Sequence, residues 1–346
     1  MTGRAGAGES ELLTQSGGGT VNLFKLAAMA AMAAALSAPA AAQRPADPRR
    51  THESGWPALV SGSNTAEFSA SLDLGPNLER GRSARAELAE HRRLTAALAA
   101  LAPQRKGLVD AYVLVVGFDS DPVFGREARE AGKVLSRRFD GAGRTLVLAG
   151  GDGRGGEALP MGSLHAFSLA LARIAELADP AEDVLIVYTT GHGAPYGITY
   201  HDGDEGYGVL TPARLSALLA ELGLGNRLLI LSACYSGQFV PALYGETTAL
   251  FTADSAGRTS FGCAADNDWT FFGDAMINRA LRKPQPLEAA STEALRLVGE
   301  WEASKKYEPS YPQVSIGSRV DSWLKPLEAR MPKTATAPVG RPAARP

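Results

Sequence analysis

Cysteine is scarce: Cys234 and Cys263 are the only two in 346 residues, so a dense disulfide framework is excluded. A single bridge between them is rejected as well. A chain of this length can build a core without a staple, and oxidation would consume a thiol for which a reactive role is argued below. Charge of one sign is lacking too. Lys and Arg number 35 against 37 Asp and Glu, and neither sign forms a long block. The electrostatic footprint for nucleic acid is therefore missing, and no nucleic-acid partner is expected. There is no internal repeat. The calcium-loop spacing is absent around the acidic stretch Asp202, Asp204 and Glu205, and with five histidines scattered along the chain no metal ligation is expected.

What is present is ordinary globular material, 45% hydrophobic and 21% charged, which excludes disorder throughout. The ends differ from the middle. Lys25 precedes an apolar run rich in Ala, Leu and Met that ends at Leu36, and small residues at Ala40 and Ala42 follow. That order reads as a signal peptide with cleavage near Gln43, and the run is too short for an ordinary membrane span. An uncleaved, membrane-anchoring leader is the competing reading. The polar, Gly-rich residues 1–20 look wrong for a secretory start and fit a start codon placed upstream of the true one near Val21. The organisation expected is a lead and signal peptide over 1–42, a linker or weakly ordered segment over 43–85, a folded domain over 86–324, and a Pro/Ala/Arg-rich disordered tail over 325–346. The destination is periplasmic or secreted, with no stable membrane span once the leader is removed.

Within the folded part, apolar runs at 111–117, 145–149, 184–189, 227–232, 248–253 and 312–317 read as strands, and some are continuous enough for parallel pairing. Helical patterns at 86–101, 125–138, 163–178, 211–222, 273–282 and 288–303 alternate with them, as in a layered α/β domain. In such a sheet ligands bind beyond the carboxyl ends of the strands. Two of those ends carry chemistry. The run at 184–189 leads into Thr190-Gly191-His192-Gly193, and the run at 227–232 into Ala233-Cys234-Tyr235-Ser236-Gly237. If the two strands are neighbours, an imidazole and a thiol share one cleft.

A thiol with a free pKa of about 8.5 is mostly protonated at neutral pH, so an adjacent imidazole that takes its proton is the usual remedy. The backbone N–H groups of Gly193 and Cys234 are candidate oxyanion donors. Bland readings exist for each piece alone: a Cys ending an apolar strand is often a small buried hydrophobe, and a His between glycines is often a turn residue. Ser236 lies in Cys-Tyr-Ser-Gly, without the first glycine of a nucleophile elbow.

Taken together, Thr-Gly-His192-Gly and, 42 residues on, Ser-Ala-Cys234-Tyr-Ser-Gly resemble the legumain (asparaginyl endopeptidase) family of cysteine peptidases and its bacterial branch. The likeness continues through Phe251 to Cys263 and into Phe271-Phe-Gly-Asp274, and covers roughly 108–320. It implies a caspase-like three-layer α/β sandwich, with a mostly parallel six-stranded sheet and helices on both faces. It further implies hydrolysis of a peptide or protein substrate through a thioester acyl-enzyme, with no metal or organic cofactor. Cys234 would be the nucleophile and His192 the general acid/base. Arg126, Ser260 and Asp274 stand where the family's substrate pocket lies. Ser232 occupies the position of an acidic pocket residue, and Glu127 that of a histidine. A transpeptidase with the same dyad and a silent binding module of the same fold are the alternative functions.

Overall fold

In the computed structural model, residues 59–155 and 158–344 are described; the expected signal peptide lies outside them. The elements, in chain order, are α1 (Thr65–Asp73), β1 (Asn77–Glu79), α2 (Ala84–Ala99), β2 (Ala111–Gly117), α3 (Pro122–Arg138) and β3 (Thr145–Leu148). They continue with α4 (Leu164–Leu177), β4 (Val184–Thr190), β5 (Gly193–Ala194), β6 (Gly197–Asp202), β7 (Gly206–Leu210), α5 (Pro212–Glu221) and β8 (Arg227–Ser232). After these come α6 (Val240–Leu243), β9 (Thr248–Thr252), α7 (Phe271–Gly273), α8 (Leu287–Lys305), β10 (Gln313–Ile316) and α9 (Asp321–Arg330).

Six strands make the main sheet in the order β10-β9-β8-β4-β2-β3, all parallel except the edge strand β10. β2 and β4 are buried at every position, as a strand covered on both faces must be. Alternate side chains serve opposite layers. Val113, Val115, Ile186, Tyr188, Leu228 and Ile230 meet α3, the 269–281 segment, α8 and α9. Tyr112, Leu114, Val116, Leu185, Val187 and Leu229 meet α2, α4 and α5. The expected three-layer α/β sandwich with a mostly parallel six-stranded sheet is therefore the fold. Among the described residues no helix is long and apolar enough to cross a membrane.

A second, antiparallel sheet, β1-β7-β6-β5, was not legible in the sequence. It lies just past β4 and is stitched to the end of β2 by Ser120 N donating to the His201 carbonyl at 2.9 Å and His201 N donating to Phe118 O at 3.0 Å. The stretch 59–85, expected to be linker, contributes α1 and β1 to this region. Its sequence carries the reason: Asn64 caps α1 by accepting from Glu67 N at 3.0 Å, and Glu67 reaches back to Ser63 N at 2.8 Å.

Of the tail expected to be disordered over 325–346, the described residues, to 344, are likewise ordered. Its first residues complete α9, which buries Trp323, Leu324 and Leu327. Beyond, side chains of the domain grip the tail's backbone. Trp269 Nε1 donates to Val339 O at 2.9 Å, Arg341 N donates to Asp268 at 2.8 Å, and Ala343 N donates to Asp274 at 2.9 Å. Composition forecast no periodicity there, and there is none; the order comes from hydrogen bonds to partners remote in sequence.

Candidate active site

The two strand ends singled out in the sequence are neighbours. β4 and β8 pair in parallel with Thr190 opposite Ser232, and Gly191 N donates to Ser232 O at 3.2 Å. The chain after β4 then passes directly over the turn after β8. A Cβ built on Gly193 would lie 3.0 Å from Cys234 N, 2.9 Å from its carbonyl carbon, and closer still to the carbonyl oxygen. Only glycine permits this approach. It brings the Gly193 backbone directly against that of Cys234.

Cys234 is partly buried, and its turn is held in an uncommon conformation. Tyr235, the next residue, has φ of 61°, the left-handed region that costs a non-glycine residue about 1 kcal/mol or more. Asp254, fully buried at the end of β9, keeps it there. Its carboxylate accepts from Tyr235 N at 3.0 Å, from Ser236 N at 2.7 Å and from Ser236 Oγ at 2.9 Å. Burial outweighs these bonds and raises the Asp254 pKa to about 7. Asp254 was not singled out from the sequence. The signal available was an acidic residue directly after an apolar strand, where nothing solvates it.

The Cys234 thiol lies 3.7 Å from the Ser260 carbonyl and 3.8 Å from the Ser260 hydroxyl. Burial raises its pKa, and the Ser260 contacts offset part of that rise. His192 is half-exposed. Its ring meets the Phe124 edge at 5.1 Å, and its Nε2 lies 3.6 Å from Asp121 Oδ2. Thr199 N donates to the His192 carbonyl at 3.0 Å, so β6 fixes the histidine's backbone. Both cysteines are free. Cys263 sits at the rim near Asp121 and Asp119, and burial raises its pKa also.

The remaining site residues separate. Ser260 is beside the thiol. Ser232 is buried and shares a hydrogen bond of 3.2 Å with Thr270 Oγ1, so it does not face substrate as expected. The cause is the strand's alternation, which turns Ser232 inward. Asp274 also departs from the expected open pocket. Its carboxylate is fully buried and accepts from Asn278 at 2.8 Å, from Arg279 at 3.2 Å and from Ala343 N. The carboxyl-terminal segment fills the space in front of it. Arg126, expected to join Asp274 in binding substrate, is paired instead with Asp268 at 3.0 Å and donates to the carbonyls of Asp152 and Ala265. Glu127 is completely buried; it accepts from Tyr188 Oη and from Thr270 N at 2.6 Å, and burial raises its pKa.

The span that carries His192, Cys234, Ser260 and Asp274 is also the one that matches known proteins. Residues 169–317 match the model of the Peptidase C13 family. Among curated proteins none matches the chain. Among solved structures, caspase-1 from Spodoptera frugiperda is similar at 14% identity with a TM-score of 0.40, covering 63% of this chain and 93% of that one.

Proposed function

Since residues 169–317 match the model of the Peptidase C13 family, a family of cysteine-type peptidases, we propose that this protein is an exported cysteine endopeptidase working through Cys234 and His192. The observation that carries the reading is the apposition of the two turns, with the Gly193 backbone against Cys234 at the ends of two paired strands. In this reading the Cys234 sulfur attacks the scissile carbonyl carbon, and the developing oxyanion accepts from the Gly193 and Cys234 N–H groups. His192 takes the thiol proton and delivers it to the departing amine, leaving a thioester. Water, deprotonated by the same imidazole, then releases the acid product.

Burial holds the Cys234 thiol protonated in the free protein, where its neighbour is Ser260. Activation therefore belongs to the substrate-bound state. A half-exposed imidazole on a glycine-flanked turn can move toward the sulfur, and catalytic hydrogen bonds that are long in a free enzyme commonly tighten in the complex. Export rests on the leader sequence before Gln43. The test is a mass-spectrometric cleavage profile of the mature protein on a peptide library beside Cys234→Ala. Cleavage by the first and none by the second is the expected result; equal cleavage by both overturns the reading.

A further inference from the structure

Three potential ligands converge beside the cleft: the carboxylates of Asp119 and Asp121 and the imidazole of His192 each place one donor atom within 4.8 Å of the other two. Within this set Asp121 Oδ2 and His192 Nε2 are 3.6 Å apart; outside it, His201 Nδ1 approaches Asp119 Oδ2 to 3.6 Å. Clusters of acids are common on protein surfaces. Asp119 is not on the surface. Its side chain is only 2% exposed, one oxygen accepts from Asp121 N at 2.8 Å, and the other, Oδ2, is buried without any hydrogen-bond partner. A buried carboxylate oxygen left unpaired is costly, and native proteins seldom tolerate one without a ligand to satisfy it.

We propose that Asp119, Asp121 and His192 form a binding site for a divalent transition cation of the Zn²⁺ type, and that its occupation switches the peptidase off. The donor set decides the cation. An imidazole nitrogen with two carboxylates suits Zn²⁺ and its neighbours, whereas Ca²⁺ and Mg²⁺ take all-oxygen shells. Three protein ligands leave one position for water in a tetrahedral shell. Bonds of about 2 Å place tetrahedral ligand atoms about 3.3 Å apart, so the cluster must contract by up to about 1.5 Å. Asp121 and His192 can supply that movement, being 50% and 40% exposed on loops at the ends of β2 and β4. Asp119, locked by burial, supplies the fixed point. The cation satisfies Oδ2, neutralises two neighbouring carboxylates and takes the Nε2 lone pair of His192. An imidazole so held cannot swing to Cys234 or carry its proton. The metal site stands on geometry alone; only the inhibitory consequence rests on the function proposed above.

Calorimetric titration of the full chain carrying Cys234→Ala with Zn²⁺, and with Co²⁺ read by its visible spectrum, tests the site without reference to activity. One saturable equivalent is expected, Mg²⁺ should not compete, and Asp119→Asn should weaken binding at least about 10- to 100-fold. That variant keeps the oxygen that accepts from Asp121 N, so its melting temperature should stay near that of the parent. No saturable binding, undiminished affinity in Asp119→Asn, or a thiolate–cobalt band abolished by Cys263→Ser would overturn the assignment. In the chain with Cys234 intact, Zn²⁺ should inhibit peptide cleavage reversibly by chelator, with the inhibitory concentration raised in Asp119→Asn by the same factor as the affinity falls. Binding without inhibition would reject the switch. Binding in a protein that cleaves no peptide would keep the site and reject the peptidase reading.

Discussion

Replacing Gly193 by alanine would push a methyl group into the backbone of the nucleophile turn. The added Cβ would lie 2.9 Å from the Cys234 carbonyl carbon and 3.0 Å from its nitrogen, with the carbonyl oxygen nearer still. Ordinary carbon contacts begin at about 3.5 Å, and the obstacle is main chain rather than a side-chain tip that could rotate away. The two turns must therefore separate by on the order of 1 Å. Separation moves one proposed oxyanion donor away from the other and carries His192 away from the thiol. A displacement of this size costs about 10²-fold in rate, and losing one oxyanion donor costs about 10²- to 10³-fold. We expect kcat/KM for a fluorogenic peptide to fall by about 10²- to 10³-fold, which corresponds to about 3–4 kcal/mol of transition-state stabilisation. Gly191→Ala serves as control, because its Cβ would meet the Phe118 Cβ at 3.3 Å, a side-chain contact that a few tenths of an ångström relieve. Steady-state kinetics on both variants, with thermal melts to confirm folding, make the comparison. A Gly193→Ala enzyme that is folded and fully active would refute the reasoning.

Asp254 predicts a pH effect on stability. Its folded pKa, raised to about 7, exceeds an unfolded value of about 3.9, so between these the native state holds a proton that the unfolded chain releases. Its contribution is full below about pH 4 and is lost as pH rises through about 7, so the melting-temperature gap between wild type and Asp254→Asn should be larger at pH 5 than at pH 8. A pH-independent gap would mean that the carboxyl is already ionised at pH 5. Asp274→Ala should destabilise by about 2–4 kcal/mol in denaturant titration, since it strips partners from Arg279, Asn278 and Ala343 N; an unchanged midpoint would restore Asp274 to an open pocket. Amino-terminal sequencing of the exported protein should begin near Gln43, and recovery of the intact leader in a membrane fraction would replace export in soluble form by anchoring.

The sequence was most legible where a single physical constraint acts over a whole element. Strands buried on both faces read as unbroken apolar runs, so β2, β4, β8 and β9 were found within a residue or two, and the pairing of β4 with β8 sets the turn that carries His192 against the turn that carries Cys234. Short strands that expose one face gave no such signal. β5, β6 and β7 are built from Gly193-Ala194, Gly197–Asp202 and Gly206–Leu210, in which glycine and charge interrupt any alternation. The specificity residues were misplaced for a related reason. Position relative to a motif fixes where a Cα lies, but whether a carboxylate faces solvent depends on what covers it. Asp274 is covered by Ala343, 69 residues away, and Arg126 is claimed by Asp268. Asp254 escaped notice because its task, holding the turn around Tyr235, is visible only once the turn is folded.

In the proposed reaction Cys234, and not Cys263, is the nucleophile. Both thiols are free, both are partly buried, and burial raises the pKa of each, so only position distinguishes them. Treating the mature protein with a peptide-based electrophile and locating the adduct by mass spectrometry addresses this directly. One adduct is expected, on Cys234, slowed in His192→Ala and unaffected by Cys263→Ser. An adduct on Cys263, or peptidase activity surviving in Cys234→Ala, would contradict it.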